Sequence, residues 1–285
     1  MKIRSVTQMI KAMEVSEGAG VTVHRTIGTP ALRNLDPFLM LDQFGSDDPD
    51  DYIAGFPDHP HRGFITFTYM LDGHMLHQDS MGNKGDLRSG GAQWMKAASG
   101  VIHSEMPQQT AGLMRGFQLW INLPAKEKMS APGYQEFSPE AIPVIESDTA
   151  TVRLLIGEYA GRRGRVEDAY TSVQYLDVAL NAGKTFTHEM AGDLRAFVYV
   201  FEGSASLGDT SLPKHSFAVL GEGDGVQVTA GSQGARFILV AGRPINEPIV
   251  QYGPFVMNTR EEIEQAFRDF RDGVLVRDKA SFVSA

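Results

Sequence analysis

Short stretches in which apolar residues occupy every second position run along most of this chain. Between His61 and Leu71, the side chains of Ile65, Phe67 and Tyr69 alternate in this way. Further stretches that predict strands lie at residues 117–123, 173–180, 195–201, 226–230 and 237–241. Successive side chains of a strand point to opposite faces, so this period predicts strands with one buried face. Because Gly and Pro residues are spread between the stretches, the pattern predicts an all-β sandwich or barrel fold.

A single convincing helix is predicted near the C-terminus. Thr259 followed by Glu262 has the spacing of a capping box, and Gly273 supplies a stop. One face of this helix would carry the apolar residues Ile263, Phe267 and Phe270. We expect the helix to pack on the outside of the β core.

A Pro- and Gly-bearing stretch at residues 130–143 divides two strand-rich parts of the chain. It predicts an N-terminal domain over residues 1–135 and a C-terminal domain over residues 143–285. The pentapeptide YMLDG at Tyr69–Gly73 resembles YVFEG at Tyr199–Gly203. The repeat suits two similar β domains.

Composition excludes several classes of function. The chain has no cysteine, which excludes disulfides, thiolate catalysis, iron–sulfur clusters and Cys-ligated zinc. A protein-bound transition metal must therefore use His, Asp or Glu. The formal net charge of −9 argues against direct binding of nucleic acid or of an anionic membrane, because both require clustered Lys and Arg. No export signal and no apolar run long enough for a membrane helix is present, so we expect a cytoplasmic protein.

Two pairs of residues at i and i+2 predict a metal site. His59 and His61 would point to one face of a strand, and that face continues as the apolar face of residues 65–71. Interior imidazoles need partners for their nitrogens, and a metal ion would provide one. His103 and Glu105 form the second pair. Two strands of one barrel would bring three imidazoles and a carboxylate together.

For each histidine, the alternative that it binds no metal and has no functional role stays open. An HxH pair also occurs on half-exposed strands that bind no ligand. His77, two residues before Asp79, is a candidate for a place beside the metal ligands or in a pocket. The acidic run at residues 47–51 lacks the spacing of a calcium loop and predicts a solvated loop. The other histidines are expected to be surface or half-buried residues: His24, His74, His188 and His215.

Longer motifs resemble those of the pirin family. They lie in the family's order and spacing at Asn34–Asp42 (NLDPFLMLD), His59–Phe64 (HPHRGF), Asp79–Asn83 (DSMGN), Gly100–Glu105 (GVIHSE) and Gln118–Pro124 (QLWINLP). The match is dense in the N-terminal domain and looser in the C-terminal domain. The resemblance implies a bicupin, which has two β-barrel (jelly-roll) cupin domains, here with a short C-terminal helix.

The resemblance also implies one divalent transition metal per chain, in the N-terminal cupin, with Fe(II) as the expected ion. Carried over position by position, its ligands are His59, His61, His103 and Glu105. Mn, Ni, Cu or Zn would fit the same ligands. The C-terminal domain has no HxH motif and is expected to bind no metal. Ile65 stands where the family has a Glu, which removes a carboxylate expected near the site.

Two functions follow from the resemblance. The first is a dioxygenase that opens a flavonol such as quercetin with O₂. Glu105 would be its general base. Phe64, Phe67 and Trp94 are candidates for the walls of a pocket for this flat aromatic substrate, and a place in the core is the alternative for each. The alternative is a noncatalytic, metal-dependent regulatory module that binds transcription factors or metabolic enzymes. Of these two functions, the resemblance to the family favours the dioxygenase.

Overall fold

The computed structural model describes residues 1–277 and the backbone of residues 281–284. The chain divides into two compact units, each built mainly of strands. The C-terminal unit comprises Met1–Ala12, Pro30–Pro37 and Ile142–Pro244. The N-terminal unit comprises Met13–Thr29, Phe38–Ala141 and Ile245–Ala285. The all-β prediction is confirmed.

The regular elements follow one another in a β-rich order. The strands are β1 (Val6–Lys11), β2 (Met13–Glu17), β3 (Val21–Arg25), β4 (Phe38–Ser46), β5 (Phe56–His61), β6 (Phe64–Asp72), β7 (His74–Asp79), β8 (Lys84–Arg88), β9 (Ala92–Lys96), β10 (Val101–Pro107), β11 (Met114–Asn122), β12 (Gly133–Phe137), β13 (Val144–Glu146), β14 (Ala150–Ile156), β15 (Glu158–Tyr159), β16 (Arg162–Arg163), β17 (Gln174–Leu180), β18 (Thr185–Glu189), β19 (Arg195–Leu207), β20 (Thr210–Pro213), β21 (Ser216–Leu220), β22 (Gly225–Gly242), β23 (Val250–Tyr252), β24 (Phe255–Met257) and β25 (Ser281–Ser284). The α-helix is α1 (Arg260–Arg271), and short 3-10 helices lie at Pro49–Asp51 and Ala125–Glu127.

This division differs from the predicted domains 1–135 and 143–285 at both chain ends. Residues 1–12 fall in the C-terminal unit because β1 pairs with β21 in an antiparallel ladder. Residues 245–285 fall in the N-terminal unit, where Asp269 of α1 accepts a hydrogen bond of 2.8 Å from the buried side chain of Arg62. Pairing between residues this far apart in sequence leaves no local pattern that could predict it.

The C-terminal unit is built on one nine-stranded sheet. Its main path runs β1-β21-β19-β22-β17-β14-β13, with β18 on β22 and β20 on β19. Apolar side chains fill its core, among them Leu154, Val178, Val198 and Phe237. The predicted strands at 226–230 and 237–241 are parts of the single strand β22.

The N-terminal unit has two main sheets. An eight-stranded sheet runs β2-β3-β4-β11-β6-β9-β12-β25, and a four-stranded sheet runs β5-β10-β7-β8. β12 lies within residues 130–143, where the sequence predicted a boundary without strands. It pairs with β9 from Gly133–Lys96 to Phe137–Ala92 and therefore belongs to the sheet.

α1 begins where the sequence predicted. Thr259 and Glu262 form the capping box. The predicted apolar face is only partly correct, because Phe267 and Phe270 are 37% and 41% exposed. The buried face instead carries Ile263, Ala266 and Asp269, since the helix turns toward the Arg62 guanidinium. Among the residues that the structure describes, no helix is both long enough and apolar enough to cross a membrane.

The strand predicted from His61 to Leu71 is interrupted by a turn at Gly63. β5 ends at His61 and β6 begins at Phe64, and the two strands belong to different sheets. Gly63 has φ = +91°, and a Cβ atom there would lie 1.9 Å from the carbonyl oxygen of Val256. Only glycine fits this position. The sequence had placed His59 and His61 on one face with Ile65, Phe67 and Tyr69, and the structure does not show this shared face.

Candidate metal centre

Antiparallel pairing of β5 and β10 places three of the predicted ligands together. His103 lies opposite His59, and Val101 lies opposite His61. The ring centroids are 4.7 Å apart for His59 and His61, and 4.3 Å apart for His59 and His103. Those of His61 and His103 are 5.0 Å apart. One ring nitrogen from each lies within 4.8 Å of the others, which is a group that could hold a metal ion.

Hydrogen bonding leaves the Nε2 atoms of these rings available. Nδ1 lies 2.8 Å from the Pro57 carbonyl oxygen in His59, and 3.4 Å from the Pro254 carbonyl oxygen in His61. Within residues 1–277, the Nε2 atoms of His61 and His103 are buried and meet no hydrogen-bond partner. An unpartnered buried nitrogen is destabilising by about 1–3 kcal/mol, and a metal ion would satisfy both atoms. The donor set therefore fits a transition metal.

Burial also controls the charge of two of these rings. Burial, together with the neighbouring imidazoles, holds the pKa of His61 and of His103 well below the ordinary histidine value. Both rings are therefore neutral near pH 7. A neutral imidazole is the form that binds a metal, so the site does not have to lose protons from these two ligands before it binds one.

Glu105 is buried and held by three donors. Its Oε1 accepts hydrogen bonds from Gln93 Nε2 at 2.5 Å and from Thr68 Oγ1 at 3.2 Å. Its Oε2 accepts one from Gln118 Nε2 at 2.7 Å. A carboxylate offers about four acceptor positions, so these donors leave room for one more partner.

The position of Glu105 separates it from the three-histidine group. Its carboxylate falls in a second group that could hold a metal, with His77 and His103. The two groups share His103. The structure thus brings His59, His61 and His103 together, while the place of Glu105 in the ligand set stays a prediction.

His77 lies at the site, where the sequence had offered it only as one candidate. Its ring is buried and stacks on Tyr134 with centroids 4.7 Å apart. Its Nδ1 lies 3.3 Å from Nδ1 of His103, and its Nε2 lies 3.3 Å from Oδ2 of Asp79. The other expectations differ in outcome: His74 is half-buried and bonds Asp86, whereas His188 is buried.

The polar residues that hold Glu105 were not among those predicted from the sequence. Thr68, Gln93 and Gln118 lie on three neighbouring strands, with Thr68 opposite both of the others. Each interrupts a strand whose other residues are mostly buried and apolar. Polar residues inside apolar strands are the signal that could have identified them.

Ile65 lies on the face of β6 that points away from the metal site, so the missing Glu at this position does not change the site. Thr68 contacts Glu105, and the Phe64 ring lies 5.1 Å from that of His61. Even-numbered side chains of β6 therefore point to the site, and odd-numbered ones point to the opposite face. Ile65 belongs to that opposite face. A carboxylate at position 65 would not reach the histidines.

A cavity of about 680 Å³ in the N-terminal unit includes His59 and His61 in its lining. Its other walls combine the apolar residues Met40, Phe56 and Trp120 with the polar residues Arg25, Asp42 and Gln118. Phe64 stacks on Trp120 with ring centroids 4.2 Å apart.

None of the three predicted pocket walls, Phe64, Phe67 and Trp94, is in this lining. The rings of Phe67 and Trp94 lie 6.2 Å apart on the side of the sheet opposite to Thr68 and Gln93. Both are core residues. Trp120 is the aromatic wall that sequence analysis did not single out.

Several known proteins are similar to this chain in sequence or in fold. A protein of Pseudomonas aeruginosa, provisionally named a quercetin 2,3-dioxygenase, is 49% identical over 282 residues, covering 96% of this chain and 99% of the relative. A crystal structure of quercetin 2,3-dioxygenase from Acinetobacter baumannii superposes with a TM-score of 0.89 at 32% identity, covering 96% of this chain and 98% of the other. A bacterial pirin from Escherichia coli, solved with nickel(II), shares the fold, with a TM-score of 0.66 at 19% identity over 83% of this chain and 98% of the other.

Family models complete the assignment. The pirin model matches residues 20–121, and the model of the pirin C-terminal cupin domain matches residues 175–276. These matches confirm the predicted bicupin fold. With them and with 49% identity to a relative over nearly its whole length, the chain belongs to the pirin family and contains two cupin domains.

Proposed function

We propose that this protein is a metal-dependent dioxygenase that opens a flavonol such as quercetin with O₂. One observation carries the proposal: two of the clustered imidazoles, His59 and His61, line a cavity of about 680 Å³. Small-molecule sites have volumes of about 300–1,000 Å³, so the cavity suits a flat three-ring ligand. The Acinetobacter relative named quercetin 2,3-dioxygenase supports the choice of substrate.

The metal would be held by His59, His61 and His103, with Glu105 as the fourth ligand. Fe(II) is the ion that we propose, and Mn, Ni, Cu or Zn would suit the same donors. When bound, the metal supplies Lewis acidity that lowers the pKa of a hydroxyl group beside it, and redox chemistry toward O₂.

Protein side chains would bind and orient the flavonol. Trp120, Phe56 and Met40 offer apolar surfaces to its rings. The amide of Gln118 is fixed at both ends, because its Oε1 accepts a hydrogen bond of 3.2 Å from Trp120 Nε1 while its Nε2 donates to Glu105. Gln118 thus links the aromatic wall to the carboxylate.

Glu105 would act as the general base. Its one remaining acceptor position would serve both roles in turn. Glu105 would loosen from the metal as it takes the proton of the substrate hydroxyl, and the donors Gln93 and Gln118 would hold the carboxylate in place during the transfer. Position 65 of β6 holds an Ile that faces away from the site, so it provides no second carboxylate for this role.

The test is oxygen consumption by iron-loaded protein, measured together with the loss of the quercetin absorbance. We expect both signals to appear in the parent at equal stoichiometry and to vanish in His61→Ala. An iron-loaded parent that consumes no oxygen with any flavonol would refute the enzyme. The alternative from the sequence, a metal-dependent regulatory module, would then take its place.

A further inference from the structure

Two side chains outside the predicted ligand set continue from His103 into the protein. His103 Nδ1 lies 3.3 Å from His77 Nδ1, and His77 Nε2 lies 3.3 Å from Asp79 Oδ2. The side chains of His77 and Asp79 are each 1% exposed. The ladder between β7 and β10 sets this order, with His77 opposite Glu105 and Asp79 opposite His103.

Asp79 is a fixed acceptor at the end of this line. Its Oδ1 accepts hydrogen bonds from the backbone N–H groups of Met81 at 2.9 Å and Asn83 at 3.0 Å. Its Oδ2 accepts a further bond of 2.8 Å from the Asn83 side chain. Tyr134 stacks on the other partner, His77. Neither side chain is therefore free to turn away from the line.

A metal ion bound to His103 would determine which nitrogen carries the proton in the rings of His103 and His77. A metal on His103 Nε2 takes the lone pair of that atom, so Nδ1 of His103 carries the proton and donates. His77 Nδ1 must then accept, which places the proton of His77 on Nε2. That proton is donated to Asp79. Only this pair of tautomers satisfies all three groups at once.

We propose that Asp79 and His77 form a hydrogen-bond relay that positions His103 and fixes its tautomer for metal binding. Both are positioning residues, because they act on the metal through His103. The proposal rests on the metal site of the proposed function and not on flavonol chemistry. Partners of this kind orient a ligand and raise its basicity, and their loss weakens metal binding by about 10–100-fold.

The first experiment measures the Kd of the metal-free protein for Ni²⁺ by titration. We expect His77→Phe, which keeps a ring against Tyr134 but removes the acceptor, to raise the Kd by about tenfold or more. Asp79→Asn should have a similar effect, because its amide would donate to His77 Nε2 and turn an N–H of His77 toward that of His103.

A matched control lies on the same strand. His74 and Asp86 form a second His–Asp pair between β7 and β8, outside both candidate metal groups. His74→Phe and Asp86→Asn should change the Kd for Ni²⁺ by less than about twofold. The variants at His77 and Asp79 should raise it by about tenfold or more.

The second experiment needs no variant. In protein labelled with ¹⁵N-histidine and loaded with diamagnetic Zn²⁺, the ring nitrogen shifts should show His103 protonated on Nδ1 and His77 protonated on Nε2. A His77 ring protonated on Nδ1 would overturn the relay, as would a His77→Phe protein with the parent Kd. A parent that binds neither Ni²⁺ nor Zn²⁺ would instead overturn the metal site and the proposed function with it.

Discussion

The interiors of the two β units differ in chemistry although both are built mainly from antiparallel strand pairs. In the C-terminal unit, β19 contributes Val198 to a core of apolar side chains. In the N-terminal unit, the matching strand is β6, because YMLDG at 69–73 corresponds to YVFEG at 199–203. This match aligns Val198 with Thr68, which donates a hydrogen bond to Glu105. One interior is used for packing, and the other is used to hold a polar site.

The difference shows what a site of this kind requires of its fold. Glu105, Gln93 and Thr68 are buried, and each has partners that satisfy it. The Nε2 atoms of His61 and His103 are among the buried polar atoms of residues 1–277 that have none, and these two atoms belong to neighbouring rings. Where neighbouring polar groups are satisfied, an unsatisfied pair marks the position of a missing ligand.

The largest effect on this comparison should come from His61→Ala. Removing one of three imidazoles should abolish metal binding or weaken it by at least tenfold, because the remaining donors no longer surround the ion. Metal content after dialysis measures it. His188→Ala in the C-terminal unit is the control and should leave the metal content unchanged. Full occupancy in His61→Ala would refute the assignment.

Glu105→Gln should have the next largest effect. The amide keeps one oxygen, which can accept from either Gln93 or Gln118 and coordinate weakly, but it removes the basicity. Turnover of quercetin should fall by about 10²-fold while iron is partly retained, the scale expected for loss of a general base. Iron content and oxygen consumption are measured side by side. Parent-like turnover with bound iron would exclude Glu105 as the base.

Exchanging the aligned residues Val198 and Thr68 should lower the free energy of unfolding by different amounts in the two units. Val198→Thr would bring a hydroxyl group into an apolar core and should lower the free energy of unfolding by about 1–3 kcal/mol. Thr68→Val removes one of three donors to Glu105 and should lower it by about 1 kcal/mol or less. Urea unfolding of both variants measures the difference. Equal losses would show that the two interiors do not differ as described.

A smaller effect should appear as pH falls. Burial holds the pKa of His61 and of His103 well below the ordinary value. Above about pH 6.5 both rings are neutral in the folded and unfolded metal-free protein. Below it only the unfolded chain takes up these protons, so the free energy of unfolding should decrease.

The His61→Phe variant isolates one of these two protons. Its free energy of unfolding should depend on pH between 6.5 and 5 with a slope lower by about one proton than that of the parent. Urea titrations at several pH values provide the slopes. An unchanged slope would mean that His61 is not buried in a neutral form.

Much of the fold and the central histidines could be predicted because the signals are local. The capping box at Thr259 lies within four residues, and the pairs at 59/61 and 103/105 need only a strand. The turn at Gly63 could not be predicted, because it depends on the carbonyl of Val256 nearly two hundred residues away. Since that turn separates β5 from β6, the face assigned to Ile65 was also wrong.

The polar partners of Glu105 were missed for a related reason. Gln93 and Gln118 come from two different strands, and nothing in either segment indicates that they meet one carboxylate. Only the register of β6, β9 and β11 brings them together around Thr68. Side-chain chemistry was therefore readable from the sequence, while the pairing of distant strands was not.

The most direct test is a crystal structure of metal-loaded protein with anomalous diffraction recorded at the absorption edge of the metal. We predict one anomalous peak per chain, within coordination distance of His59, His61 and His103, and no peak beside His188 in the C-terminal unit. A peak beside His188, or a metal that contacts fewer than two of the three clustered histidines, would contradict the account.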